Sequence, residues 1–103
     1  MRTILISGAN SGIGLKIANK LLSEGDKVSL GVRNIEAVKG TIIDPEFWPK
    51  NQILINYYDA FDDNSPQDWI TNTINRFGGF DTLINCAGIF SRVPFLYNKK
   101  EKD

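Results

Sequence analysis

Three glycines, Gly8, Gly12 and Gly14, stand in the run Ser7-Gly8-Ala9-Asn10-Ser11-Gly12-Ile13-Gly14, directly after the apolar residues Ile4, Leu5 and Ile6. Gly8 lets the chain leave a strand in a conformation that a Cβ would forbid. Gly12 and Gly14 leave room for phosphate oxygens and for close approach of a helix to a sheet. The backbone N–H groups from Asn10 to Ile13 become the free donors of a new helix, whose dipole favours an anion. A strand, a tight turn and a helix N-terminus in this order receive a nucleotide diphosphate. A glycine-rich turn of purely structural use is the competing account, and the flanking strand and helix weigh against it.

Arg33 is the second candidate. A carboxylate at the end of the second strand would bind a ribose 2′-OH and repel a 2′-phosphate. This sequence has Val32 there, then Arg33 and Asn34. A guanidinium grips a phosphate through two parallel hydrogen bonds, so the pattern favours NADP(H) over NAD(H). The alternative is an ordinary surface arginine.

Other chemistries drop out. The sequence has no histidine, which removes His-based acid/base catalysis and most zinc sites. No Lys-Ser or Lys-Thr follows the glycines, as a phosphate-binding loop of nucleotide triphosphatases requires. Cys86 is the only cysteine, so no intramolecular disulfide forms and a reducing cytoplasm is expected. Twelve basic residues balance twelve acidic ones, giving no field directed at nucleic acid or an anionic membrane. No apolar run approaches the roughly 20 residues of a membrane span, so a soluble protein is expected.

The elements that must position these residues follow from periodicity and punctuation. Asn10 or Ser11 caps a helix running to about Ser23, with Ile13, Ile17 and Leu21 as an apolar stripe beside Ala18 and Leu22, and Gly25 stops it. Lys27 to Val32 reads as a second strand, and Asn34 caps a short helix through Lys39. Gly40 to Asn51 is irregular, because Asp44-Pro45 and Trp48-Pro49 resist helix; Phe47 and Trp48 pack over the sheet from this loop. Gln52 to Tyr57 is a third strand. Ser65-Pro66-Gln67-Asp68 then starts a helix, with Ser65 as its cap and Trp69, Ile70, Ile74 and Phe77 as its buried face. Gly78-Gly79 ends that helix, and Phe80 to Asn85 is a fourth strand. Strands and helices alternating in this way predict right-handed crossovers and a parallel sheet.

Three segments together resemble the short-chain dehydrogenase/reductase family: the glycine run, Asp59 after the third strand, and Leu83-Ile84-Asn85-Cys86-Ala87-Gly88. The resemblance covers about residues 1 to 90. It implies an α/β, Rossmann-like, doubly wound parallel sheet, truncated here to about four strands in the order 3-2-1-4. It implies that Gly8, Asn10, Ser11, Gly12, Ile13 and Gly14 hold the cofactor pyrophosphate, that Asp59 hydrogen-bonds the adenine ring, and that Asn85, Ala87 and Gly88 lie along the adenosine ribose. Arg33 and Asn34 complete the expected cofactor set. Ser7 replaces the family's usual threonine and keeps its hydroxyl. Cys86 replaces an asparagine and is expected to be a small buried filler, not a nucleophile.

The family's catalytic serine and Tyr-x-x-x-Lys pair have no match. Tyr57 is followed four places on by Phe61, Tyr58 by Asp62 and Tyr97 by Glu101. The expectation is a cofactor-binding half-domain over residues 1–90 followed by a loop and charged tail over 91–103. Such a chain is an N-terminal piece of an NADP(H)-dependent carbonyl or alcohol oxidoreductase, inactive alone. Its fourth strand, with Leu83 and Ile84, offers an edge to another chain or to a missing C-terminal half. A non-catalytic nucleotide-binding module or sensor subunit is the alternative. The sugar-nucleotide epimerase branch is disfavoured, because it has Gly-x-x-Gly-x-x-Gly.

Overall fold

The computed structural model describes residues 2–9 and 12–86. Strand β1 (Thr3–Ser7) leads to helix α1 (Gly12–Ser23) and strand β2 (Lys27–Val32). Two short 3-10 helices, Ile35–Val38 and Pro45–Phe47, precede strand β3 (Ile53–Tyr57). Helix α2 (Ser65–Phe77) and strand β4 (Thr82–Asn85) complete the described chain. The boundary expected near residue 90 and the tail beyond it lie outside the described residues.

The four strands form one parallel sheet in the order β3-β2-β1-β4, as expected. β1 is buried throughout its length, in keeping with its unbroken apolar run. β2 sorts its side chains by alternation. Val28, Leu30 and Val32 join Ile4, Ile6 and Ile53 on the face that packs against Ala18 and Leu22 of α1 and against Val38 and Ile43 of the connecting segment. Ser29 and Gly31 point the other way, towards α2.

Three packing expectations are corrected. The buried stripe of α1 is Gly14, Ala18 and Leu22, while Ile17 and Leu21 flank it and Ile13 is 70% exposed. Small residues at 14 and 18 bring the helix axis close to the sheet, and Ile13 is turned off that contact line. The buried face of α2 is Ser65, Trp69 and Thr73, and Ile74 is 44% exposed. Here a polar network decides the face. Trp69 Nε1 donates to Ser29 Oγ at 2.8 Å, Ser29 Oγ and Thr73 Oγ1 lie 2.7 Å apart, and Thr73 Oγ1 donates to the Trp69 carbonyl at 2.8 Å. Every hydroxyl in this dry contact has a partner, so its burial carries no unsatisfied group. In the connecting segment Trp48 packs on the core with its Nε1 on the Ile42 carbonyl, whereas Phe47 is exposed.

Most local start and stop signals on the described residues act as expected, with departures at Pro45 and Ser65. Gly25 and Gly78 end the two helices at φ +92° and +87°. Asn34 caps the first 3-10 helix, its side-chain oxygen accepting from Glu36 N–H. Pro45 does not prevent helix; it begins the second 3-10 turn behind an extended Asp44, where a missing N–H costs nothing. The second departure is Ser65. Asn64 holds the cap position of α2, and Ser65 is its first helical residue.

Candidate dinucleotide site

In a parallel sheet, side chains that meet a ligand gather beyond the carboxyl ends of the strands, at the point where the winding reverses. That point here lies between β1 and β4, because the chain steps outwards through β2 and β3 and then crosses back to the other side of β1. The predicted residues lie along that rim. Gly8 follows β1, Arg33 follows β2, Asp59 lies two residues beyond β3, and Asn85 ends β4. The ladder continues past the strands and fixes the rim: Gly8 N–H donates to the Gly31 carbonyl, Tyr58 N–H to that of Val32 and Cys86 N–H to that of Ser7, each at 2.9 Å.

Gly8 turns the chain out of β1 with φ +70°, a conformation open to glycine and strained for other residues. Gly12 begins α1, and a Cβ there would meet no described atom within 4 Å. Gly14, by contrast, is buried. Ile13 is exposed at the same N-terminal turn. Asn10, Ser11, Ala87 and Gly88 lie outside the described residues.

Arg33 is exposed and, among the described residues, holds no ion pair. Its neighbour Asn34 commits its side-chain oxygen to the 3-10 cap, which leaves the amide N–H₂ as the group it offers. Asp59 is half-buried, and its Oδ1 accepts from Phe61 N–H at 2.9 Å. Ser7 and Asn85 tie the β1 and β4 ends together, Ser7 Oγ donating to Asn85 Oδ1. Cys86 is half-buried on the core, and burial pushes its thiol up, as suits a filler.

Sequence reasoning missed Tyr57 and the support beneath the rim. The Tyr57 hydroxyl lies 3.5 Å from Asp59 Oδ2. Partial burial raises its pKa first, the Asp59 carboxylate adds to this, and the Arg33 charge opposes it, so the phenol lies within the field of both candidate contacts. Behind them, Trp69 stacks at 45° on Tyr58 with ring centroids 4.8 Å apart. Gly31 is the floor of that stack: a Cβ there would lie 2.9 Å from the indole and from Tyr58 Cβ. A glycine inside a strand is the one sequence signal that pointed to this close approach.

A model of short chain dehydrogenases matches residues 2–102. The chain belongs to the short-chain dehydrogenase family. It is 38% identical over 87 residues to agropine synthesis reductase of Rhizobium rhizogenes, covering 82% of this chain and 19% of that protein. It is 36% identical over 90 residues to 15-hydroxyprostaglandin dehydrogenase [NAD(+)] of Bos taurus, covering 85% and 34%. Its fold matches a crystal structure of a short-chain dehydrogenase/reductase (glucose/ribitol dehydrogenase) from Brucella melitensis with a TM-score of 0.77 and 28% identity, over 92% of this chain and 38% of that one. The chain thus spans about a fifth to a third of the length of the curated relatives it matches. Short-chain dehydrogenases are oxidoreductases that use NAD or NADP.

Proposed function

We infer that this chain supplies the adenosine-binding half of an NADP(H)-dependent short-chain oxidoreductase acting on a carbonyl or alcohol. The observation that carries the reading is that a Cβ at Gly12 would meet no described atom within 4 Å, on a rim that also bears the exposed Arg33 guanidinium and the Asp59 carboxylate. Each group suits one part of the ligand. The turn from Gly8 through Gly14, with Asn10, Ser11 and Ile13, receives the pyrophosphate on a helix N-terminus. Arg33, with the Asn34 amide, takes the 2′-phosphate, and Asp59 accepts from the adenine amino group. Asn85, with Ala87 and Gly88, flanks the adenosine ribose. When bound, the nicotinamide supplies or accepts the hydride.

The sequence contains no Tyr-x-x-x-Lys pair, so the acid/base step and the substrate contacts belong to groups other than these. The outer edge of β4, which pairs only with β1 among the described residues, is where further chain or another subunit extends the sheet in this reading. With Cys86 as the sole thiol, a reducing cytoplasm is the compartment that fits.

Titration of NADPH and NADH against the chain and its Arg33→Ala variant tests the assignment. A lost charge-assisted contact corresponds to roughly a 10- to 100-fold weaker NADPH affinity, while NADH affinity should change less than about twofold. Equal losses for both ligands would remove the 2′-phosphate role. A wild-type chain that prefers NADH would overturn the cofactor assignment.

A further inference from the structure

Ser65 opens α2, yet its side chain serves the loop before the helix. Its Oγ accepts a hydrogen bond from Asp59 N–H and donates one to the Asp59 carbonyl, both at 2.9 Å. The residue is buried, at 4% exposure. The Asp59 carbonyl also accepts from Asp62 N–H at 3.0 Å, closing the turn from the other side. One buried hydroxyl therefore grips residue 59 at both its amide and its carbonyl. Of the carboxylate oxygens, Oδ1 is taken by Phe61 N–H, and Oδ2 has, among the described residues, only the long contact to the Tyr57 hydroxyl.

The grip is itself anchored. Trp69, one turn along α2, is wedged over Gly31 and hydrogen-bonded to Ser29, so the first turn of the helix cannot shift independently of β2. Position passes from β2 to Trp69, along the first turn of α2 to Ser65, and from Ser65 to Asp59, without relying on the exposed loop between Ala60 and Asn64.

We propose that Ser65 is a positioning residue for base recognition: by holding the backbone of Asp59, it sets where the second carboxylate oxygen stands and so selects an adenine amino group. This rests on the dinucleotide reading above. An ionised carboxylate only accepts hydrogen bonds. It suits the exocyclic amine of adenine and is repelled by the carbonyl oxygen that replaces it in hypoxanthine. Displacement of Asp59 should therefore cost base selectivity rather than phosphate affinity.

The test is NMR titration of the full chain with 5′-AMP and with 5′-IMP, for wild type, Ser65→Ala and Ser65→Thr, with unfolding midpoints measured alongside. The expected result is that Ser65→Ala weakens AMP about tenfold, a loss on the scale of its hydrogen bonds to Asp59, leaves IMP within about twofold, and that Ser65→Thr restores the preference. A folded Ser65→Ala that keeps the wild-type AMP-to-IMP ratio overturns the proposal. Should that variant not fold, the wild-type amide signals of Asp59 and Ser65 decide: they shift with AMP and less with IMP, and signals unmoved by AMP overturn it. A wild-type chain that binds neither nucleotide overturns the dinucleotide reading itself, a separable outcome.

Discussion

Two glycines of this chain look alike in the sequence and differ in what they keep clear. Gly12 is not among the glycines with positive φ, and a Cβ there meets no described atom within 4 Å, so Gly12→Ala strains nothing among the described residues. Alanine is the better helix former by up to about 1 kcal/mol. We expect the unfolding midpoint of Gly12→Ala to hold or rise while its dinucleotide affinity falls about tenfold or more, as intrusion of a methyl group on a close contact costs on the order of 1–3 kcal/mol. Titration and thermal unfolding of the same variant check this, and unchanged affinity would show that no ligand approaches there. Gly31 is the opposite case. The Cβ of Gly31→Ala would meet a buried indole and Tyr58 Cβ at 2.9 Å, neither of which is a flexible chain end. That variant should lose roughly 1–3 kcal/mol of stability, read as a lower denaturant midpoint. The spacing of the glycine run is enough to suggest the proposed role of Gly12. The role of Gly31 is not legible in the same way, because the residue that needs its space lies 38 positions away, at Trp69.

Among the elements, the connections are held by carboxylates whose pKa values are depressed. Asp26, between α1 and β2, accepts from the Arg2 guanidinium at 3.0 Å and from Arg2 N–H at 3.1 Å; the side-chain bond is the larger cause of its lowered pKa and the backbone bond the next. Asp44 is held low by the Gly40 N–H at 2.7 Å and then by the Glu46 N–H at 2.9 Å. A depressed folded-state pKa gives stability that is complete above the unfolded carboxylate value, about 4, and is lost as pH falls through the lower folded values. Denaturant midpoints should therefore be flat above about pH 5 and fall below about pH 4, with a shallower fall in Asp26→Asn and Asp44→Asn. Acid slopes equal to wild type in both variants would refute the assignment. The positions of these elements followed from glycine stops, prolines and periodicity. Their faces did not, since Ile74 competes with Thr73 for burial and only the Ser29 hydroxyl on another strand settles which one wins.

As a whole, the described chain is a four-stranded parallel sheet whose winding reverses between β1 and β4, with β4 at one edge of the described strands. The aligned part of the chain covers 19% and 34% of two of the relatives it matches. The 103-residue chain by itself should bind a dinucleotide yet show no NADPH oxidation with carbonyl substrates; turnover above a heat-denatured control would refute this. The sequence alone determined the order of elements, the parallel sheet, the glycine turn and the family, because all of these are written in local backbone preference and short-range periodicity. Only the tertiary structure decided that α1 buries its 14, 18 and 22 stripe, that Gly31 makes room for Trp69, and that Ser65 holds Asp59 instead of capping its own helix. The physical reason is common to all three. Each depends on which distant side chain fills a given space or satisfies a given hydroxyl, and a local pattern carries no record of that partner.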